Sequence, residues 1–85
     1  MKFQGAVIKE QGLTFAIVII KKHILDSRYE SEKAISSFRP YFSGIPITLM
    51  AQDSSGRAHY RGRKDIVNFL SNLHISQIPW KEYTV

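Results

Sequence analysis

Basic side chains recur at every second position in one short stretch, which is the sharpest chemical pattern in the chain. Arg57, His59, Arg61 and Arg63 are spaced by single residues, and Lys64 follows directly. Alternate side chains of a strand share one face, so this spacing predicts a row of positive charge. Such a row can contact phosphate groups, or it can form a solvated strand edge whose charges prevent edge-to-edge pairing. Both interpretations remain open from the sequence.

A second basic group, Lys21, Lys22 and His23, follows the most apolar stretch of the chain, residues 13–20. Ser27 is a suitable N-cap for a helix starting just after it, and the free N–H groups of that helix would favour an anion nearby. Paired lysines are also a common exit of a buried strand to solvent. A fourth strand beside the third would bring Arg57 to the same end of the sheet. The residues predicted to contact an anion or a nucleic acid are therefore Lys21, Lys22, Arg57, His59, Arg61, Arg63 and Lys64.

Catalytic and metal chemistry find little support in the sequence. His23, His59 and His74 are widely spaced and lack the short separations typical of a zinc site. The serines lie where helix caps and turns need them, and there is no Gly-x-Ser-x-Gly motif. The absence of cysteine excludes disulfides and thiolate chemistry. We therefore expect no enzyme, no cofactor and no metal ion.

Size and composition indicate a small globular protein. The 85 residues suit one domain over 1–85, and 44% hydrophobic with 22% charged residues argues against disorder. The net charge of +5 favours a polyanionic partner only weakly. The most apolar stretch, residues 13–20, has eight residues including one threonine, far fewer than the ~20 of a membrane helix, and the start of the chain lacks the features of a signal peptide. We expect a cytoplasmic protein without membrane contact.

The apolar periodicity predicts an α+β fold. Residues 13–20 are apolar on both faces, as a central strand requires, and a turn at Gly12 joins them to a first strand over 2–9. A helix follows Ser27 and ends before Pro40, because proline disfavours helical geometry in the residue ahead of it. Residues 23–25 would either prolong the second strand or form a bend.

The second half repeats this order of elements. Strands over 45–52 and 57–61 flank a turn at Gly56, and a second helix begins near Arg63. Its apolar stripe has helical spacing and consists of Ile66, Phe69, Leu70 and Leu73. The strands flanking the first helix should be parallel and both hairpins antiparallel. We predict a four-stranded mixed sheet with ββαββα order over 1–74 and helices on one or both faces.

The stretch from Gly44 through Leu73 resembles the closing half of thioredoxin-like domains. The shared features are a proline before a strand, a hairpin, a glycine and a final helix. The cysteine pair that gives that family its redox chemistry is absent, and the opening βαβ unit is missing. The resemblance therefore implies a topology and no activity.

The extension over 75–85 is too apolar to be a loose end. Its aromatic and aliphatic side chains, Ile78, Trp80 and Tyr83, require burial. Packing on the same domain costs less entropy because the tail is already tethered there, so we expect it to fold back. Packing on a second copy is the alternative, in which these three side chains form an interface.

The sequence is most consistent with a non-enzymatic domain that binds another macromolecule. A protein partner and self-association both fit this expectation. One alternative is a nucleic-acid-binding module that uses the basic stretch from Arg57 to Arg63. A second alternative is an accessory subunit of an enzyme.

Overall fold

The computed structural model describes residues 2–10 and 12–85, which form a mixed α+β structure, as predicted. In chain order its elements are β1 (Lys2–Glu10), β2 (Leu13–Ile19), α1 (Lys22–Asp26), α2 (Arg28–Phe38), β3 (Ile47–Gln52), β4 (Ala58–Arg61), α3 (Lys64–Ser71) and β5 (Lys81–Thr84). Short 3-10 helices cover Arg39–Tyr41 and Ile75–Gln77. Within the described residues, no helix is both long enough and apolar enough to span a membrane.

β2 is the central strand of the sheet, as its apolar character predicts. The strand order is β4-β3-β2-β1-β5, with β2 parallel to β3 and antiparallel to β1. β3 and β4 form the second antiparallel hairpin, so the predicted strand directions are confirmed. Ile17 and Val18 are fully buried although they point to opposite faces, because both faces of the sheet are covered.

Two apolar clusters lie on the two faces of the sheet. On one face, α1 and α2 cover a cluster that includes Val18, Leu49 and Phe38. On the other face, α3 covers a cluster that includes Ile17 and Leu70. The helices therefore form two separate layers, one on each face of the sheet.

The prediction of a four-stranded sheet is wrong, because the described residues form a five-stranded one. The additional strand is β5, which pairs antiparallel with the outer edge of β1 from Lys2↔Thr84 to Gly5↔Lys81. Its four residues, Lys-Glu-Tyr-Thr, include two adjacent charged residues and one aromatic residue, and they carry no strong strand signal of their own. Pairing depends on tertiary contact, since the Tyr83 ring stacks on Phe3 with 5.0 Å between ring centroids.

The structure thus places the three apolar side chains of the tail against their own chain. Ile78 is buried in the cluster beneath α3. Trp80 packs against the same cluster, and its Nε1–H donates a hydrogen bond of 3.0 Å to the Ile75 carbonyl oxygen. Tyr83 lies on the opposite face, where its ring also forms a T-shaped contact with Phe42, with 5.3 Å between ring centroids.

Residues 23–25 are helical and form most of α1, where we expected strand or bend. The helix is only one turn long and is held by the burial of Leu25, which local propensity does not reveal. The predicted cap of the following helix is present: the Ser27 Oγ accepts a hydrogen bond of 3.2 Å from the Glu30 backbone N–H.

Candidate functional site

β4 is the outer strand of the sheet on the side away from β5, and it lies in a groove between two helices. The end of α1 forms one wall of this groove, and the first turns of α3 form the other. We call it the β4 groove; it has a volume of about 470 Å³ and is lined by Leu25, Asp26, His59, Tyr60, Arg61, Gly62, Lys64 and Val67. All four residues of β4 are half-buried.

Side chains of β4 alternate between the two faces of the sheet. His59 and Arg61 pair with Ala51 and Leu49, which belong to the apolar cluster beneath α1 and α2. Tyr60 packs against the opposite cluster, beneath α3. The alternation predicted for the basic stretch is therefore present from residue 58 to residue 61, and it places two basic side chains on the α1 side of the groove.

The hydrogen bonds of β3 reveal which backbone groups of β4 are free. Ala16 donates its N–H to the Pro46 carbonyl oxygen at 2.9 Å, and Ile20 donates to Met50 at 2.8 Å. Even-numbered residues of β3 therefore direct their backbone groups towards β2. Since backbone groups alternate in direction along a strand, the odd-numbered residues face β4.

The register then identifies the outward groups of β4. Asp53 donates its N–H to the Arg57 carbonyl oxygen at 3.0 Å, which is consistent with odd-numbered pairing across this hairpin. His59 and Arg61 therefore bond to β3, and Arg57 bonds to Asp53 just after β3. Ala58 and Tyr60 consequently direct their N–H and C=O groups away from β3, at the open edge of the sheet. Of the two, Tyr60 lines the β4 groove. Among the described residues, no further strand pairs with this edge.

Arg61 fixes the α1 wall against the strand. Its Nε–H donates a hydrogen bond of 2.8 Å to the Leu25 carbonyl oxygen at the end of α1. The Ser31 Oγ donates to the same oxygen at 3.1 Å and approaches the Ile24 carbonyl oxygen at 2.9 Å. Because these contacts satisfy carbonyl groups that a helix end leaves without partners, the wall is held in place rather than packed loosely.

Gly62 allows the other wall to lie close to the sheet. A Cβ at this position would lie 2.9 Å from the Thr48 Oγ1 and 3.1 Å from the Thr48 Cα, closer than side chains tolerate. Glycine is therefore required where the chain leaves β4 and turns into α3. The lysine at the start of α3, Lys64, is thereby brought to the rim of the groove.

Asp53 organises the turn that precedes β4. Its Oδ1 accepts hydrogen bonds from the Ser55 N–H at 2.9 Å, the Ser55 hydroxyl at 2.7 Å and the Arg57 N–H at 3.0 Å. Its Oδ2 lies 2.9 Å from the His59 Nε2. These contacts, with the one to His59 the largest, hold the pKa of Asp53 well below its ordinary value.

We expect Asp53→Asn to weaken the acid dependence of stability. A carboxyl group whose folded pKa is depressed stabilises the fold above its unfolded pKa of about 3.9, and that contribution disappears as the pH falls further. The variant should therefore be less stable at pH 7 and lose less stability than the wild type between pH 5 and pH 2. Urea unfolding at pH 7, 5, 3 and 2 measures both effects. If the free energies of unfolding of the two proteins differed by the same amount at all four pH values, the Asp53 network would not form.

The other predicted contact residues are divided between internal ion pairs and solvent. Lys22 pairs with Asp26 at 2.6 Å, and Arg63 pairs with Asp65 at 2.6 Å. The hydrogen bond from Arg63 lowers the pKa of Asp65, and the same contact raises that of Arg63. Lys21 precedes α1 and is exposed. Of the seven predicted residues, Lys22, His59, Arg61 and Arg63 are engaged within the chain.

We predicted that Arg57 would lie at the same end of the sheet as Lys21 and Lys22. The β4 residue that reaches α1 is Arg61 and not Arg57, which lies in the turn beside Asp53. Sequence reasoning missed the roles of Ser31 and Gly62. A serine among polar helix residues carries no visible signal, whereas a glycine between a strand and a helix does suggest close approach.

The described residues contain no group of three or more histidine, aspartate or glutamate side chains that could hold a metal ion. No family model matches the chain, and no curated protein or solved structure matches it either.

Proposed function

We propose that this protein is a non-enzymatic binding module that captures an extended peptide segment of another protein along β4. The observation that carries the proposal is the free backbone edge of β4, which Tyr60 presents within the β4 groove and Ala58 continues towards the preceding turn. An added strand would form up to four backbone hydrogen bonds with these two residues.

The flanking helices favour capture of a single strand over extension of the sheet by a folded partner. α1 and α3 rise on either side of β4, so a segment entering the groove would contact Leu25 on one side and Val67 on the other. These contacts bury side chains as well as backbone, which an exposed sheet edge alone does not offer. A role as an accessory subunit of an enzyme would be a narrower form of the same proposal.

The alternative proposal, nucleic-acid binding, has weaker support from the geometry. Phosphate contacts need cationic side chains that are free to reach outward, and three of the seven predicted residues, Lys22, His59 and Arg63, already contact carboxylates of the chain. Binding of an oligonucleotide at low salt with a log–log salt slope near −3.6, about four phosphates on duplex DNA, would favour this alternative over peptide capture.

Blocked five-residue peptides provide the test. Each has valine at the centre and threonine at both ends, and the second and fourth residues are both glutamate, both glutamine or both lysine. We expect at least one to bind with a dissociation constant on the order of 0.1–1 mM, since a few net hydrogen bonds must offset the cost of association. In an NMR titration, the shifted amides should lie along β4 and the groove walls.

Ala58→Pro is the decisive variant. It removes an outward N–H that β3 does not use, so the fold should survive while peptide binding falls at least tenfold. Glu82→Pro is the matched control. Backbone groups alternate in direction along β1 and along β5, so the Glu82 N–H points away from β1, at the opposite edge of the sheet. Equal loss of binding in both variants, or no binding of any peptide at 5 mM, would contradict the proposal.

A further inference from the structure

Charged side chains around the β4 groove are unequally paired. The two nearby carboxylates already have partners, since Asp26 pairs with Lys22 and Asp53 contacts His59. Within the described part of the chain, Arg57, Arg61 and Lys64 form no ion pair with a carboxylate. Lys64 and Arg61 line the groove, and Arg57 lies in the turn just before β4, where its N–H donates to Asp53. Asp53 contacts a histidine rather than a lysine or arginine, so its charge offsets part of the positive charge, but the three cations outnumber it. The groove and the adjoining turn therefore have an excess of positive charge.

We infer that the captured segment is acidic at two alternate positions and apolar at the position between them. This inference rests on the proposed function. Residues directly opposite one another on paired strands share a face, so partner residues opposite His59 and Arg61 would lie on the α1 side. Carboxylates at these two positions would approach the terminal nitrogens of Arg61, whose Nε is already occupied by Leu25.

The residue between the two carboxylates would point to the opposite face. There it would lie opposite Tyr60 and against Val67, both of which line the groove. An apolar side chain suits this position because Tyr60 packs into the apolar cluster beneath α3. The recognised pattern is therefore acidic, apolar, acidic in an extended segment.

A second copy of this chain fits the edge poorly. Antiparallel pairing of β4 with β4 through the outward groups of Ala58 and Tyr60 would place His59 opposite His59 of the second copy. The same register would place Arg57 opposite Arg61, and like charges in direct cross-strand pairs are destabilising. The charge of the edge thus selects an acidic partner over self-association.

The three blocked peptides separate this inference from the proposed function. We expect the glutamate peptide to bind about tenfold more tightly than the glutamine peptide, and the lysine peptide to bind most weakly. Raising sodium chloride from 50 to 500 mM should reduce the preference to about twofold, since salt screens exposed charge pairs. Binding of all three peptides with equal affinity would overturn the inference and leave the proposed function intact. Binding of none would remove both.

Two protein variants check that the preference is local. Arg57→Gln removes a cation beside the groove and should lower the preference for glutamate about twofold. Lys33→Gln removes the same charge on α2, where the Lys33 ammonium lies over the Tyr29 ring, and should leave the preference unchanged. An equal effect of the two substitutions would show that net charge, and not the groove, determines the preference.

Discussion

Ile17→Asp is expected to unfold the protein. Ile17 is fully buried in the middle of β2, within the cluster that also holds Met50 and Leu70. An unpaired carboxylate at this position costs several kcal/mol, or must take up a proton to remain buried. A chain of this length has a total stability of about 4–13 kcal/mol, so one such substitution removes much or all of it.

Urea unfolding followed by circular dichroism measures the effect of Ile17→Asp against two controls. Ile17→Val keeps the apolar character and should cost about 0.5–1.5 kcal/mol. Val7→Asp makes the same kind of polar change on β1, where the side chain is 44% exposed, and should change stability by less than about 1 kcal/mol. A loss below about 1 kcal/mol for Ile17→Asp would contradict the placement of β2 at the centre of the core.

Truncation after Ser76 is expected to be about as damaging. It removes β5 together with the buried Ile78, the Trp80 indole and the Tyr83 ring that stacks on Phe3. Loss of each large side chain costs roughly 2–5 kcal/mol, and the sum is comparable with the whole stability. The truncated chain should therefore be largely unfolded at 25 °C or melt far below the intact one.

Light scattering and sedimentation determine whether the tail acts within one chain. Tyr83→Ala is the milder variant, and its melting point should fall while the protein stays monomeric. An intact protein that sediments as a dimer, together with a truncated protein that is a folded monomer, would show that Ile78, Trp80 and Tyr83 form an interface between copies. The structure packs these side chains within one chain, so we expect a monomeric Tyr83→Ala variant with a lower melting point.

Local signals were sufficient for the parts of the fold that local chemistry determines. The central position of β2 follows from β-branched residues on both of its faces, and the start of α2 follows from the Ser27 cap. β5 and α1 were not predictable in the same way. β5 pairs with β1 because the Tyr83 ring stacks on Phe3, and α1 is held through Leu25. Both elements therefore depend on contacts between residues that are distant in sequence.

The candidate site likewise has features that local sequence predicts and features that depend on tertiary structure. The alternation of His59, Tyr60 and Arg61 between two faces could be predicted from spacing alone. The free backbone edge could not, because it depends on the strand order and on which residues of β3 bond to β2. The internal bonds of Arg61 and Arg63 were equally invisible, since a sequence shows how many charges a stretch carries and not how they are paired.

The pairing of β1 with β5 also has a consequence for how the chain folds. The first and last strands are neighbours, so closing the sheet requires joining Lys2 to Thr84 around a loop of roughly 80 residues, at an entropic cost of about 4 kcal/mol. Such long-range pairing slows folding. During synthesis, the outer edge of β1 stays bare until Thr84 has been added, so a nascent chain that has not yet reached this residue exposes an unpaired strand edge that favours aggregation.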